Sequence, residues 1–262
     1  MTSFVKAWTV QSRVIRALLL REIQLRWGRR NLGFAWLFVE PLVFAFPVLT
    51  MWSLMSSSDH AHGMPVIPFL WSGYLPILMF RHVTGHCLHV IRSGGPLFYH
   101  RAVTPFDLLI ARISLDVIGN FAATALSFLV FYMIGAIEWP RDPSLFIIGL
   151  LYMAWWSVSI AMIVAAWSER SEIVEHVWTP ISYMYMPVSG FFYLAEWLPV
   201  SLRNLALTVM PSLHSYEMIR GGLFGNRIQV FYDLSYVSFV LAVLTLLGLW
   251  LVHDVRRYIQ FD

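Results

Sequence analysis

Six stretches of this 262-residue chain are apolar over lengths that a soluble core does not require: 32–55, 65–90, 106–137, 145–167, 172–194 and 231–252. A helix needs about 20 mostly apolar residues to cross the hydrocarbon of a bilayer, and it satisfies its backbone polar groups internally, where lipid offers them no partner. Only 13% of residues are charged and 58% are hydrophobic. The chain therefore reads as an all-α integral membrane protein, one domain over 1–262, with these stretches as six transmembrane helices. The third is long enough to tilt or to begin in the interface.

Orientation follows from Lys and Arg in the flanks. Of 18 such residues, Arg81 and Arg112 lie within spans; with the N-terminus inside, Arg141, Arg203, Arg220 and Arg227 fall outside and the other twelve inside. Both termini are expected in the cytoplasm. The apolar cluster 17–20 is too short for a signal-peptide core, so no cleavable leader is expected. The formal charge of +3 does not argue for nucleic acid, because the basic residues gather beside apolar runs rather than over one solvated face. Cys87 is the only cysteine, which excludes an intrachain disulfide and suits a small buried hydrophobe.

Three segments between or before the spans carry their own signals. Over 12–30, Ile15, Leu19, Ile23 and Trp27 recur every four residues beside a row of Glu22, Arg26 and Arg30, the pattern of a helix lying on the interface. It reads either as a juxtamembrane anchor or as a docking helix. Between spans two and three, Gly94, Gly95 and Pro96 break the helix and Thr104 with Pro105 restarts one, leaving 94–104 for a short cytoplasmic helix. Between spans five and six, 195–230 is interrupted by Pro199, Pro211, Gly221, Gly222 and Gly225, which predicts short outer-face or re-entrant helices.

The chain has no GxxxxGK[ST] phosphate loop, so ATP bound in that manner must belong to a partner. His82, His86 and His89 have helical spacing, but no second ligand cluster accompanies them and Arg81 adjoins the row; they read better as polar residues facing a bundle interior than as a metal site. Ser189-Gly190 lacks the first glycine of GxSG, and His253 lies at the cytoplasmic end of span six, which argues against an intramembrane serine protease. Arg112 and Asp116 have the spacing of an i,i+4 pair. Glu40, before Pro41, and Arg81 are ionisable residues within spans, which are costly; they pair with each other or face a hydrated path. The aromatics around span five, among them Trp178, Tyr183, Tyr185, Phe191, Tyr193 and Trp197, suit either a lipid belt or a sliding surface for sugar rings.

The run LLLREIQLRWGRRNLGFAWLFVEPL, the segment PLFYHRAVTPFDLLIARISLD and the long insertion before the last span resemble the permease subunit of bacterial ABC-2 type exporters, and within it the inner-membrane permeases of capsular polysaccharide export. The resemblance covers essentially the whole chain. It implies a transport subunit rather than an enzyme, with no cofactor of its own and with ATP and Mg in a partner. Two copies would assemble with two cytoplasmic ABC ATPase subunits in the bacterial inner membrane, passing a lipid-linked, acidic polysaccharide toward periplasmic and outer-membrane components. O-antigen, teichoic acid or a small drug are the other cargoes such permeases carry; a structural anchor would need neither Glu40 nor Arg81. By that resemblance Glu22, Arg26, Arg30, Tyr99, His100 and Arg101 would couple to the ATPase. Trp36, Glu40, Arg81, Tyr183, Tyr185, Phe191 and Tyr193 would line the path, and Arg203, Arg220 and Arg227 would meet the polymer as it leaves.

Overall fold

A computed structural model describes residues 2–27, 43, 47, 50, 51, 60, 61, 64–95 and 103–255. In chain order it has helix α1 (Thr2–Trp27), the two-residue strands β1 (His60–Ala61) and β2 (Met64–Pro65), and helices α2 (Val66–His86), α3 (Val90–Ser93), α4 (Pro105–Met133), α5 (Pro143–Ser168), α6 (Glu172–Tyr185), α7 (Val200–Val209), α8 (Pro211–Phe224) and α9 (Leu234–Val255). The strands pair antiparallel, His60 opposite Pro65 and Ala61 opposite Met64.

Local chemistry sets the helix starts. Thr104 and Asp107 form a reciprocal capping box at α4 with Pro105 in its first turn, satisfying amides that a helix start leaves open. Asp142 accepts from Leu145 N at 3.1 Å to start α5, again ahead of a proline, and Asp233 accepts from Tyr236 N at 3.0 Å to start α9. Among the described residues, α2, α4, α5 and α9 are long and apolar enough to cross a membrane. Most of the first predicted span, 32–55, lies outside the described residues.

α5 is the hub, packed along α8, α9 and α2, while α1 lies along α4. Lipid tails are as apolar as the side chains they surround, so helices in membranes associate through close packing and polar rungs. Both occur on α5. At Gly149 an added Cβ would sit 2.7 Å from the amide nitrogen of Ile219, so only glycine admits α8 at that distance. Two rungs join α5 to α9, Tyr152 to Ser238 at 2.6 Å and Trp155 Nε1 to Thr245 Oγ1 at 2.8 Å, and a third ties α2 to α4, Trp71 Nε1 to Ser127 Oγ at 3.0 Å. Phe239, Leu246 and Trp250 on α9, and Ile118 and Leu129 on α4, are exposed, as lipid-facing positions are.

Two boundaries correct the sequence reading. The N-terminal helix starts at Thr2, ten residues before the expected 12, and buries Leu18 and Glu22 rather than turning its Ile15 row wholly inward. The fifth span, expected over 172–194, ends as a helix at Tyr185 and continues as turns. Pro187 has no amide hydrogen to donate; Met186 before it stays helical at φ −52° and ψ −54°, and Gly190 follows at φ +101°. Apart from its first and last few residues, the 94–104 helix lies outside the described residues.

Candidate functional site

The bundle has two ends: one where α1 lies, α2 and α5 stop and α4 begins, and a far end carrying α7 and α8. At the α1 end, polar side chains join nearly every element. Glu22 on α1 is 1% exposed and receives Arg112 of α4 at 2.6 Å from Nη2 and 2.9 Å from Nε, while Arg112 Nη1 donates to His86 O at 3.1 Å. His86 Nδ1 lies 3.0 Å from Asp116 Oδ1, and Gln11 of α1 donates to Asp107. The expected Arg112–Asp116 pair is therefore replaced: each side chain finds a partner on another helix, where it binds elements together as well as neutralising charge.

A second cluster joins the α2–α3 junction to the α5–α6 junction. His89 has φ 59°, a left-handed conformation uncommon for a residue with a Cβ. This turn ends the helical row of histidines and carries the His89 ring to Glu175, at 2.9 Å, while His82 and His86 stack at 5.5 Å. The three rings do not converge on a common point. Glu169 accepts from the Arg92 amide at 2.9 Å, Arg92 lies 3.7 Å from Glu175, and Arg170 bonds Asp254 of α9 at 2.8 Å. Burial pushes the Glu169 carboxyl above its ordinary value, against the pull of the Arg92 amide and charge.

Toward the far end, the turns that follow α6 place irregular backbone inside the protein, and α8 satisfies it. Arg220 is fully buried and donates to the carbonyls of Gly190 at 2.8 Å, Tyr193 at 2.5 Å, and Phe191, with its guanidinium 4.2 Å over the Phe69 ring. One turn earlier, Glu217 accepts from Ala195 N at 2.9 Å and Phe231 N at 3.0 Å. Every residue of α8 is buried. It clamps the irregular backbone that follows α6. Non-helical backbone is tolerated at membrane depth when protein supplies its partners.

This arrangement redistributes the expected site. Tyr185 is half-buried and bonded to Ser212, and Phe191 is 3% exposed against Phe192 and Tyr74; both pack onto the core. Arg220 cannot meet an exiting polymer, since its donors are taken by the turn. Glu22 presents no carboxylate to an external partner, being held by Arg112. Ser189 is buried and donates to Met186 O at 2.8 Å, while His253 sits near the opposite end of the bundle. Arg26 lies in α1 with its side chain outside the described part, and Arg30, Trp36, Glu40, Tyr99, His100 and Arg101 are outside the described residues.

What remains open to a face is Arg81, Tyr183 and Tyr193. The Arg81 guanidinium lies 3.6 Å over the exposed ring of Tyr183, and the Tyr193 hydroxyl donates to Val188 O at 2.8 Å. At the far end Arg227 lies 3.2 Å from Glu138, and Arg203 stacks 4.0 Å over Phe231. Phe231 borders an open cavity of ≈ 500 Å³ lined also by Asn204, Thr208, His214, Tyr232 and Asp233. Its walls combine aromatic faces with amide, hydroxyl and carboxylate groups. Sequence reading missed the Arg112 and Asp116 partners, the Glu217–Arg220 clamp and the His89–Glu175 contact; the i,i+3 spacing of Glu217 and Arg220 ahead of Gly221-Gly222 was the one available signal.

The family model for ABC-2 type transporters matches residues 13–224. The chain is 32% identical over 259 residues to the capsule polysaccharide export inner-membrane protein BexB of Haemophilus influenzae, covering 99% of this chain and 97% of that protein. It is 34% identical over 251 residues to the capsule polysaccharide export inner-membrane protein CtrC of Neisseria meningitidis serogroup A, covering 96% and 94%. The polysialic acid transport protein KpsM of Escherichia coli matches at 32% over 127 residues, 48% of each chain. A bundle of membrane-length helices carrying this family pattern over 13–224, with similarity along nearly its whole length, belongs to the ABC-2 type transporter membrane family.

Proposed function

We propose that this chain is the inner-membrane permease subunit of an ATP-driven exporter of capsular polysaccharide. The observation that carries the reading is the similarity to capsule polysaccharide export inner-membrane proteins over 94–99% of both chains. Two copies assemble with two cytoplasmic ATPase subunits, which supply ATP and Mg, and both termini of each permease face the cytoplasm. The α1 end is then the inner end.

The motion would enter through α1 and the segment 94–104, which contact the ATPase. Glu22 belongs to this route as a tether rather than a docking residue: through Arg112 it couples α1 to α4 and to the end of α2. Just ahead of the 94–104 segment, Arg92 and His89 reach Glu169 and Glu175, so displacement at the coupling segment would be handed to the start of α6. A rocking of packed bundles is the kind of change such ties transmit. The path runs along the first span and α6, with Arg81, Tyr183 and Tyr193 on its wall together with Trp36 and Glu40; the open aromatic cavity beside Arg203 receives the polymer on the outer side. Many weak contacts suit a polymer that must slide, where one tight pocket would stall it.

Co-expression of the chain with its ATPase, in a strain lacking the native pair, tests this. Retention of the ATPase through purification together with restored surface polysaccharide is the expected result. A complex that forms and hydrolyses ATP while no polymer reaches the surface would refute the cargo, and a chain that retains no ATPase would refute the coupling.

A further inference from the structure

We propose that Arg81 is an anion-reading residue within the membrane-length helix α2, its guanidinium braced on Tyr183 and offered to a carboxylate or phosphate oxygen of the passing substrate. The inference rests on the export reading above and names the chemistry which that path selects.

Depth is the first observation. The Cα of Arg81 is five residues from the inner end of α2 at His86, about 7 Å along the helix at 1.5 Å per residue. An arginine so placed ordinarily snorkels outward to the nearer headgroups. This one stays at its own level: Phe80, its neighbour on α2, meets Trp178 and Tyr185 of α6 on either side of Tyr183. Its guanidinium lies 3.6 Å over the ring of Tyr183, a residue eleven positions beyond the start of α6 at Glu172. At 1.5 Å per residue that is about 16 Å along α6 from its first residue. Tyr74, seven residues earlier and so two turns up the same face, adds another polar rim there.

Charge is the second. Among the described residues Arg81 has no carboxylate within ion-pair reach, and its Nε is buried without a hydrogen-bond partner. Compare Arg220, whose Nε is likewise unpartnered but whose Nη1 and Nη2 hold three backbone carbonyls. Arg220 is spent on the fold; Arg81 is held by a cation–π contact that leaves its forked donors uncommitted. A planar fork of donors matches a carboxylate or phosphate with two parallel hydrogen bonds. Tyr183, more than half exposed at 53%, makes this an accessible face and supplies a flat surface beside the charge on which a sugar ring can rest.

The test uses the permease–ATPase complex in lipid nanodiscs. Phenylglyoxal labels accessible arginines, and peptide mass spectrometry reads the label on Arg81 in the presence of oligogalacturonate, of neutral dextran oligomers of the same length, or of a prenyl phosphate. Protection by oligogalacturonate but not by dextran is expected, with Arg81→Gln weakening oligogalacturonate affinity about tenfold or more, the scale of losing hydrogen bonds between charged groups. Arg81→Lys should recover part of it. Protection by the prenyl phosphate alone would assign the same site to a lipid anchor's phosphate. Equal protection by dextran, no protection by either anion, or an Arg81→Gln complex that binds oligogalacturonate as tightly as the parent would overturn the proposal. Glu40→Gln is the remaining control: if Arg81 existed only to neutralise Glu40, no anion binding would depend on it. Binding needs no export, so Arg81-dependent binding in a complex that moves no capsule would fail the cargo reading alone.

Discussion

Replacing Glu22 by Ala should free α1 from the bundle while leaving the membrane helices folded. Glu22 is 1% exposed, the Arg112 side chain is 18% exposed, and the pair shares two hydrogen bonds at 2.6 and 2.9 Å. Removing one member of a buried pair strands the other, at a cost of about 3–5 kcal/mol when nothing compensates. Arg112 keeps its bond to His86 O at 3.1 Å, so the lower end applies, about 3 kcal/mol. At 1.36 kcal/mol per factor of ten, that is a shift of about 150-fold in the equilibrium between docked and released α1. Hydrogen–deuterium exchange of the complex reads it directly: amides in 9–27 should exchange on the order of 100 times faster, with α5 and α9 unchanged. The double variant Glu22→Leu with Arg112→Leu should recover most of the protection, since an apolar pair of similar volume replaces a buried ion pair at little cost. Unchanged exchange in Glu22→Ala, or a double variant as poorly protected as the single, would refute the reasoning.

Other consequences are equally specific. Arg220→Met should prevent stable folding, because three carbonyls of the 190–193 turn lose their donor together and each buried unsatisfied group costs about 1–3 kcal/mol; loss of a monodisperse complex on gel filtration checks this. Thr245→Val should be mild, lowering stability by about 0.6 kcal/mol per rung lost, the scale of interhelical hydrogen bonds in membranes, as read from thermal unfolding. Glu169 has a folded-state pKa above the unfolded one, so its ionised form destabilises the fold and stability from this group is lost as pH rises through the raised value. Glu169→Gln should therefore be more thermostable than the parent at pH 7, with the difference shrinking on acidification; a constant difference from pH 7 to pH 4 would reject it.

Composition carried part of the fold, because lipid demands long apolar helices: among the described residues α2, α4, α5 and α9 meet that requirement. The break in the fifth span was half visible: Pro180 and Pro187 were both apparent, but Pro180 sits within α6 and only Pro187 coincides with its end. A proline within an apolar run does not say which way the chain leaves. α8 was harder. Its sequence, with Glu217 and Arg220 among small and polar residues, looks exposed, and it is buried only because the turns after α6 present amides and carbonyls at the same depth. That complementarity is tertiary, so Arg220 was misplaced on the outer face. The same limit applied to Glu22 and Arg112, 90 residues apart in sequence, where local spacing pointed to Asp116 instead. Arg81 stood out in the sequence as a charge within an apolar run, but its contact with Tyr183 is tertiary and was not legible there.

As the proposed permease, this chain should move capsular polysaccharide across a membrane at the expense of ATP hydrolysed by a partner. Inverted inner-membrane vesicles carrying the permease, its ATPase and the polymerising enzymes would present newly made polymer on their outer surface, open to an added depolymerase. Polymer that becomes resistant to the enzyme on addition of ATP, and only when both subunits are present, is the predicted result. Resistance that develops equally without ATP or without this chain, or polymer that stays fully digestible with both, would contradict the account.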